Sequence, residues 1–229
     1  MMKLNKLRNN HLTDPDHVHI LFFTSRNKDN PNLPDFRQRH ESFLIDKEPE
    51  FYLKRFQNFV DKGVPGELSR MYVTITPRSQ KAICKALQHE LIDKDVNLIK
   101  FDSKLVSLAS KPNCIPIGCT PGWMFDFDKV DHMDVVLKNF LVDLRLTYEK
   151  TRGKREAIEV DVYPTMSGYA IIPSQKFDTR ELLAKYQNVE LKKDLHVFLG
   201  FGVKESGDKH EIIITHKVQF LSVPRRKSD

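Results

Sequence analysis

The sequence predicts an α+β fold in which a largely antiparallel sheet is packed by helices. Period-two runs such as "RMYVTIT" and "WMFDFD" mark strands, and runs with apolar residues every three to four positions mark helices. The two kinds follow one another as strand–helix three times, then strand–strand, helix, strand–strand. Strands joined directly by turns pair antiparallel, whereas strict strand–helix alternation would build a parallel sheet.

Residues 1–16 are polar and are expected to form a flexible N-terminal segment. "HVHILFFTS" (17–25) reads as the first strand and "RNKDNPNLPD" (26–35) as a loop with two prolines. From Phe36 to about Lys62 the apolar spacing is helical, with Pro49 dividing it into two helices. "RMYVTIT" (70–76) is a strand. An amphipathic helix follows, with Thr76 as N-cap, Pro77 in the first turn and Ile83, Leu87 and Leu91 as its stripe.

"KPNCIPIGCTPG" (111–122) punctuates the chain before the strand Trp123–Asp128, and Asp131–Tyr148 reads as a long helix. "AIEVDVYPT" and "SGYAIIPS" form a strand pair turning at "PTMSG". "DTRELLAKYQN" is a short helix capped by Asp178, and "VELKKDLHVFLGFGV" and "HEIIITHKVQFLSV" are the last strands. No break demands a second domain. The expected organisation is one α+β domain over 17–223, with 17–69 as an N-terminal α/β extension and 70–223 as the core, followed by a basic tail, 224–229.

The chain has 229 residues, of which 40% are hydrophobic, enough to bury an ordinary core. A net charge of +6 tilts the partners towards phosphates. Three cysteines, Cys84, Cys114 and Cys119, are too few and too odd in number for a disulfide framework, and no second Cys/His pair completes a zinc site. The N-terminus has no apolar signal segment, and no apolar run reaches the roughly 18 residues of a membrane span. The expectation is a cytoplasmic protein without membrane contact.

Carboxylates gather at three places. In a strand, i and i+2 share a face, so Asp126 and Asp128 point the same way, roughly 7 Å apart, while Trp123, Phe125 and Phe127 take the other face. Glu159 and Asp161 repeat the pattern in "IEVDVYP", and Glu190, Lys192 and Asp194 alternate in "VELKKD". Such a face is either solvated, relieved by Lys192, Lys193 and water, or a place where Mg²⁺ or Mn²⁺ binds through oxygen ligands. Close by, Gly168 allows close approach of backbone or ligand, Ser167 and Thr165 supply hydroxyls, and Tyr169 offers a ring for base stacking. Lys176 and Arg180 are candidate phosphate contacts. Arg70, Arg78 and the "RGKR" residues Arg152, Lys154 and Arg155 are candidate nucleic-acid contacts, or ordinary solvated charge.

In order, "MFDFD", a helix, "TMSGYAIIPSQKFDTR" and "VELKKDLHVF" resemble the catalytic half of the archaeo-eukaryotic primase superfamily, in particular the compact primase-polymerase-like proteins of phages and plasmids. "SRMYVTITPRSQKAICKAL" resembles the strand–helix unit that precedes the first motif in that superfamily. The resemblance spans about residues 70–200. It implies an RRM-like sheet, with Asp126 and Asp128 as metal-binding aspartates and Asp194 as a third acidic ligand, the three forming the catalytic set. It aligns "SGYA" with a motif whose histidine binds nucleotide phosphates. Ala170 stands where that histidine is expected, so Lys176, Arg180 or His196 would have to replace it.

The implied function is metal-dependent nucleotidyl transfer on a DNA or RNA template, with Mg or Mn as cofactor and nucleotides, nucleic acid and other replication proteins as partners. A phage-encoded protein in the host cytoplasm would fit this pattern. Two other readings stay open: a non-catalytic nucleotide- or nucleic-acid-binding module on the same fold, and a phage-encoded interaction protein.

Overall fold

The computed structural model describes residues 16–93, 100–117, 122–128, 130–152, 157–193, 196–205 and 210–214. In chain order the first elements are β1 (His17–Val18), β2 (Ile20–Ser25), β3 (Arg39–Leu44), α1 (Pro49–Asp61), β4 (Leu68–Thr74) and β5 (Arg78–Ser79). Then come α2 (Gln80–Asp93), α3 (Phe101–Ala109), β6 (Trp123–Asp128), α4 (Met133–Arg152), β7 (Val160–Thr165) and β8 (Gly168–Pro173). The chain continues through α5 (Arg180–Lys185), β9 (Val189–Lys193), β10 (His196–Lys204) and β11 (His210–Ile214). The fold is α+β, with antiparallel sheets packed by helices.

Where the sequence suggests one domain, the chain packs as two compact units. One draws on the described residues within 121–195, the other on those within 9–120 and 196–229.

The second unit is built on a five-stranded antiparallel sheet in the order β11-β10-β4-β2-β3, beside the small pair β1-β5. Leu21 and Phe23 of β2 and Met71 and Val73 of β4 are fully buried. Phe23 packs against Phe56 and Phe59 of α1, with ring centroids 5.1 and 5.8 Å away. Ile20 joins a second cluster with Ile83 of α2 and Val106 and Ala109 of α3.

Several expectations need correction in this unit. The stretch 36–48 is not a helix, because Arg39–Leu44 pairs residue for residue with β2, Leu21 opposite Phe43 and Phe23 opposite Glu41. Pro49 does not divide two helices but opens α1, where its missing N–H is harmless. The first strand is broken at His19, whose Nδ1 donates to the Thr74 carbonyl at 2.8 Å. Thr76 does not cap α2. The helix begins after β5, and Ser79 Oγ accepts the Ala82 N–H at 3.2 Å. α3 was not foreseen.

Tyr52 ties α1 to the end of β3. Its hydroxyl accepts the N–H groups of Asp46 (2.9 Å) and Lys47 (3.2 Å), and its one proton has two acceptors within reach, the Asp46 carboxylate (2.8 Å) and the Leu44 carbonyl (3.0 Å). Burial, with the Asp46 carboxylate adding to it, pushes the phenol up to about 12. Tyr52→Phe leaves those backbone groups without this partner and is expected to lower stability by about 1–3 kcal/mol, read from the urea unfolding midpoint.

The first unit runs β6-α4-β7-β8-α5-β9, with its sheet in the order β7-β8-β6-β9 and every pair antiparallel. This is the split βαβ arrangement of RRM-like domains, the first and third strands lying side by side in the middle. Its logic is visible in β6. Phe125 and Phe127 point to one face and are fully buried against Leu137, Phe140, Leu144 and Tyr148 of α4, which recur every three to four residues. Phe140 lies 5.4 Å from each of the two β6 rings and 5.1 Å from Tyr186 beyond α5. Each such phenylalanine contributes about 1.5–3 kcal/mol by leaving water.

Beside this cluster, Asp143 of α4 accepts from Lys185 and Tyr186, both at 2.5 Å, and these bonds hold its carboxyl below the ordinary aspartate value. Two boundaries differ from expectation here. α5 starts at Arg180 with Thr179 as its N-cap, while Asp178 accepts the Arg180 N–H from just outside the helix at 3.1 Å. "VELKKDLHVFLGFGV" is two strands in two different sheets, β9 in the four-stranded one and β10 in the five-stranded one.

Candidate functional site on the four-stranded sheet

Register decides which side chains meet. In an antiparallel pair, directly opposed residues project to the same face. Asp126 lies opposite Ala170 of β8 on one side and Glu190 of β9 on the other. Asp128 lies opposite Gly168, Met124 opposite Lys192, and Tyr163 of β7 opposite Ala170. The face turned away from α4 and α5 therefore carries Asp126, Asp128, Glu190 and, further along, Asp161. Among the described residues of these four strands, Lys192 is the one cationic side chain on that face.

The ammonium of Lys192 sits on the acid cluster, 2.5 Å from Asp126 Oδ2 and 3.2 Å from Glu190 Oε2. Asp126 and Lys192 are each about one-third exposed (31% and 30%), whereas Glu190 is 71% exposed. Partial burial pulls the Lys192 ammonium towards deprotonation, but the hydrogen bond and charge of Asp126, reinforced by Glu190, outweigh it and hold the pKa above the usual lysine value.

Asp128, at the end of β6, is exposed, and its backbone is fastened to Asn188. Its N–H donates to the Asn188 carbonyl at 3.0 Å, and its carbonyl accepts from Asn188 Nδ2 at 3.2 Å. Both aspartates are thus fixed on a strand whose opposite face is a packed aromatic core.

The turn "TMSG" closes the β7–β8 hairpin. Ser167 is exposed there, its N–H donating to Thr165 Oγ1 at 3.4 Å. Gly168 has φ +152°, and a Cβ on it would lie 1.9 Å from the Phe127 carbonyl oxygen. Glycine at this point serves the approach of β8 to β6, next to Asp128.

The other expected residues separate from this face. Tyr169 points to the helix side and packs, partly buried, against the aromatic core, so it does not present a stacking ring beside Asp126. Arg180 heads α5, whose Leu182 is buried in that same core, and its guanidinium is committed to Asp178 (2.9, 3.0 and 2.5 Å). Lys176 lies 5.6 Å from the ring of Trp123, which alternation puts on the helix side of β6.

His196, Arg70 and Arg78 belong to the five-stranded unit. The His196 ring packs edge-on to Phe22 at 4.2 Å, Arg70 pairs with Asp29 at 2.5 Å, and Arg78 is buried on β5. Arg152 ends α4. Asp194, Lys154, Arg155, Cys119 and the tail 224–229 lie outside the described residues.

What the sequence does not specify is where the pair Glu190 and Lys192 sits. Both stand in the "VELKKD" alternation, but their place beside Asp126 depends on how β9 registers against β6. That is a long-range fact with no local signature.

No family model, curated protein or solved structure matches this chain. Its chemistry is therefore argued from the face itself. Among the described residues, no group of three or more His, Cys, Asp or Glu side chains is arranged to hold a metal ion, and no helix is long and apolar enough to cross a membrane. Two carboxylates on one strand nonetheless fit Mg²⁺ or Mn²⁺. These ions take oxygen ligands and are commonly held by one or two carboxylates, with waters and substrate phosphates completing the shell. The Lys192 ammonium on Asp126 offsets part of the negative charge of this face.

Proposed function

We propose that the chain is a primase-polymerase-like nucleotidyltransferase that adds a nucleotide to a DNA or RNA 3′ hydroxyl on a template. The observation that carries the reading is the register of β6. Asp126 and Asp128 stand side by side on a central RRM-like strand, flanked by the "SGYA" strand on one side and the Glu190–Lys192 strand on the other. The strands carrying the first two motifs of the resemblance are thereby neighbours.

In this reading Asp126 and Asp128 hold the divalent cation, and β6 keeps both carboxylates in place because its other face is locked into the aromatic core. The bound cation would lower the charge of the triphosphate and orient the attacking oxygen. The hydroxyl oxygen then forms a bond to the α-phosphorus, pyrophosphate leaves, and the hydroxyl proton passes to water or to a carboxylate on this face.

The test is incorporation of labelled nucleotide by the purified full chain with Mn²⁺ or Mg²⁺, over primed and unprimed DNA and RNA templates. Product that disappears with a chelator is expected. No product under any combination of nucleotide, template and metal removes the enzymatic reading.

Ala170 favours a second reading, a nucleotide- or nucleic-acid-binding module without catalysis, because it brings no donor to the strand beside Asp126. Salt-dependent nucleic-acid binding that is unchanged in Asp126→Ala, with no incorporation, is the result that selects it.

A further inference from the structure

We infer that Lys192 is the residue that holds the nucleotide's phosphates, supplying from β9 the positive donor that Ala170 does not supply from β8. The inference rests on the nucleotidyltransferase reading above and deepens it at the same site.

Three observations lead to it. Ala170 is directly opposite Asp126 and is nearly fully buried, so a methyl group stands where the resemblance would put a phosphate donor. The residues the sequence offered as replacements lie away from this face. Arg180 heads α5, which packs on the helix side, Lys176 is at Trp123 on that same side, and His196 lies in the other unit against Phe22. Lys192 alone, among the described residues of the four strands, brings a cation to the correct face, and it does so 2.5 Å from the very carboxylate that would bind metal.

Its present partners are anions that a metal would claim. A divalent cation held by Asp126 would take over the carboxylate that Lys192 now pairs with, and Lys192 would stay within side-chain reach of it. The nearest new anion in a substrate complex is the triphosphate. A lysine ammonium suits this task, being a compact charge on a flexible stem that can exchange one oxygen partner for another. Arginine would keep the charge and a donor, so Lys192→Arg should retain much of the function.

The experiment reads binding rather than turnover. Affinities of the full chain for fluorescent nucleoside triphosphate, monophosphate and unphosphorylated nucleoside are measured by anisotropy with Mn²⁺, for wild type, Lys192→Met and Lys192→Arg. Lys192→Met is expected to weaken triphosphate binding about 10- to 100-fold, as for loss of one charge-assisted hydrogen bond. Lys192→Arg should lose only a few-fold, and the nucleoside should be unaffected.

A second measurement needs no variant. Triphosphate should protect Lys192 of the wild type from acylation by an amine-reactive reagent, read by mass spectrometry. Unchanged triphosphate affinity in Lys192→Met, or acylation of Lys192 indifferent to saturating triphosphate, overturns the inference and leaves the enzymatic reading standing. Wild type that binds no triphosphate overturns both. Loss of binding in Lys192→Met by a chain that never incorporates nucleotide upholds Lys192 and removes only catalysis.

Discussion

Alanine in place of Gly168 is expected to cost the four-stranded unit about 4 kcal/mol. The added Cβ would meet the Phe127 carbonyl oxygen at 1.9 Å, the Phe127 carbonyl carbon at 3.0 Å and the Asp128 carbonyl carbon at 3.2 Å. These are backbone atoms of the neighbouring strand and cannot swing aside like the tip of a side chain. Relief requires β8 to retreat from β6, at about 1–3 kcal/mol for overpacking, and a φ of +152° adds about 1–3 kcal/mol for any residue with a side chain. Trp123 is the only tryptophan of the chain and lies on β6, so its fluorescence reports this unit directly. A large downward shift of the urea midpoint in that signal is expected. An unchanged midpoint would mean that the two strands are not so close at Gly168.

Under the proposed nucleotidyltransferase reading, Asp126→Asn should have the largest effect on incorporation. Asparagine keeps the shape of the side chain but removes the charge that both Lys192 and a divalent cation seek. Electrostatic stabilisation by a bound cation is worth several kcal/mol, and each 1.36 kcal/mol is a factor of ten. Nucleotide incorporation should therefore fall at least about 100-fold. Stability should change little, because Asp126 is partly exposed and its ion pair lies near the surface. An Asp126→Asn protein with wild-type incorporation would take this carboxylate out of the mechanism. An inactive variant with a normal unfolding midpoint would place the loss in chemistry rather than folding.

The legible part of the fold was the part with unbroken local rhythm. β6 is legible because aromatic residues occupy every second position over its whole length, and the hairpin at "PTMSG" is marked by its turn residues. β3 was misread because "FRQRHESFLID" has too few apolar residues to separate a period of two from one of three to four. Its pairing with β2 decides the matter, and that partner is distant in sequence. The break between β9 and β10 was invisible for the opposite reason: β-forming residues run straight through it, although the two halves serve different sheets.

At the candidate site, Asp126 and Asp128 were legible from parity alone. The same parity argument, applied to "SGYA", would have sent Tyr169 to the core beside Ile171 and left Gly168 and Ala170 with the aspartates. Glu190 and Lys192 required the β6–β9 register, which no local pattern encodes.

The RRM-like unit interrupts the five-stranded one, and its two chain ends leave from neighbouring strands, Trp123 being directly opposite Lys193. This geometry sets an order of events during synthesis. Strand β4 emerges from the ribosome long before its partner β10, from which it is separated by the whole inserted unit. The edge of β4 that β10 will cover stays open during that interval, while the inserted unit has all its strands within one continuous stretch and can close first. The insertion thus acts as a timer on its host. The five-stranded sheet cannot complete its ladder until the segment bearing the carboxylates has been translated.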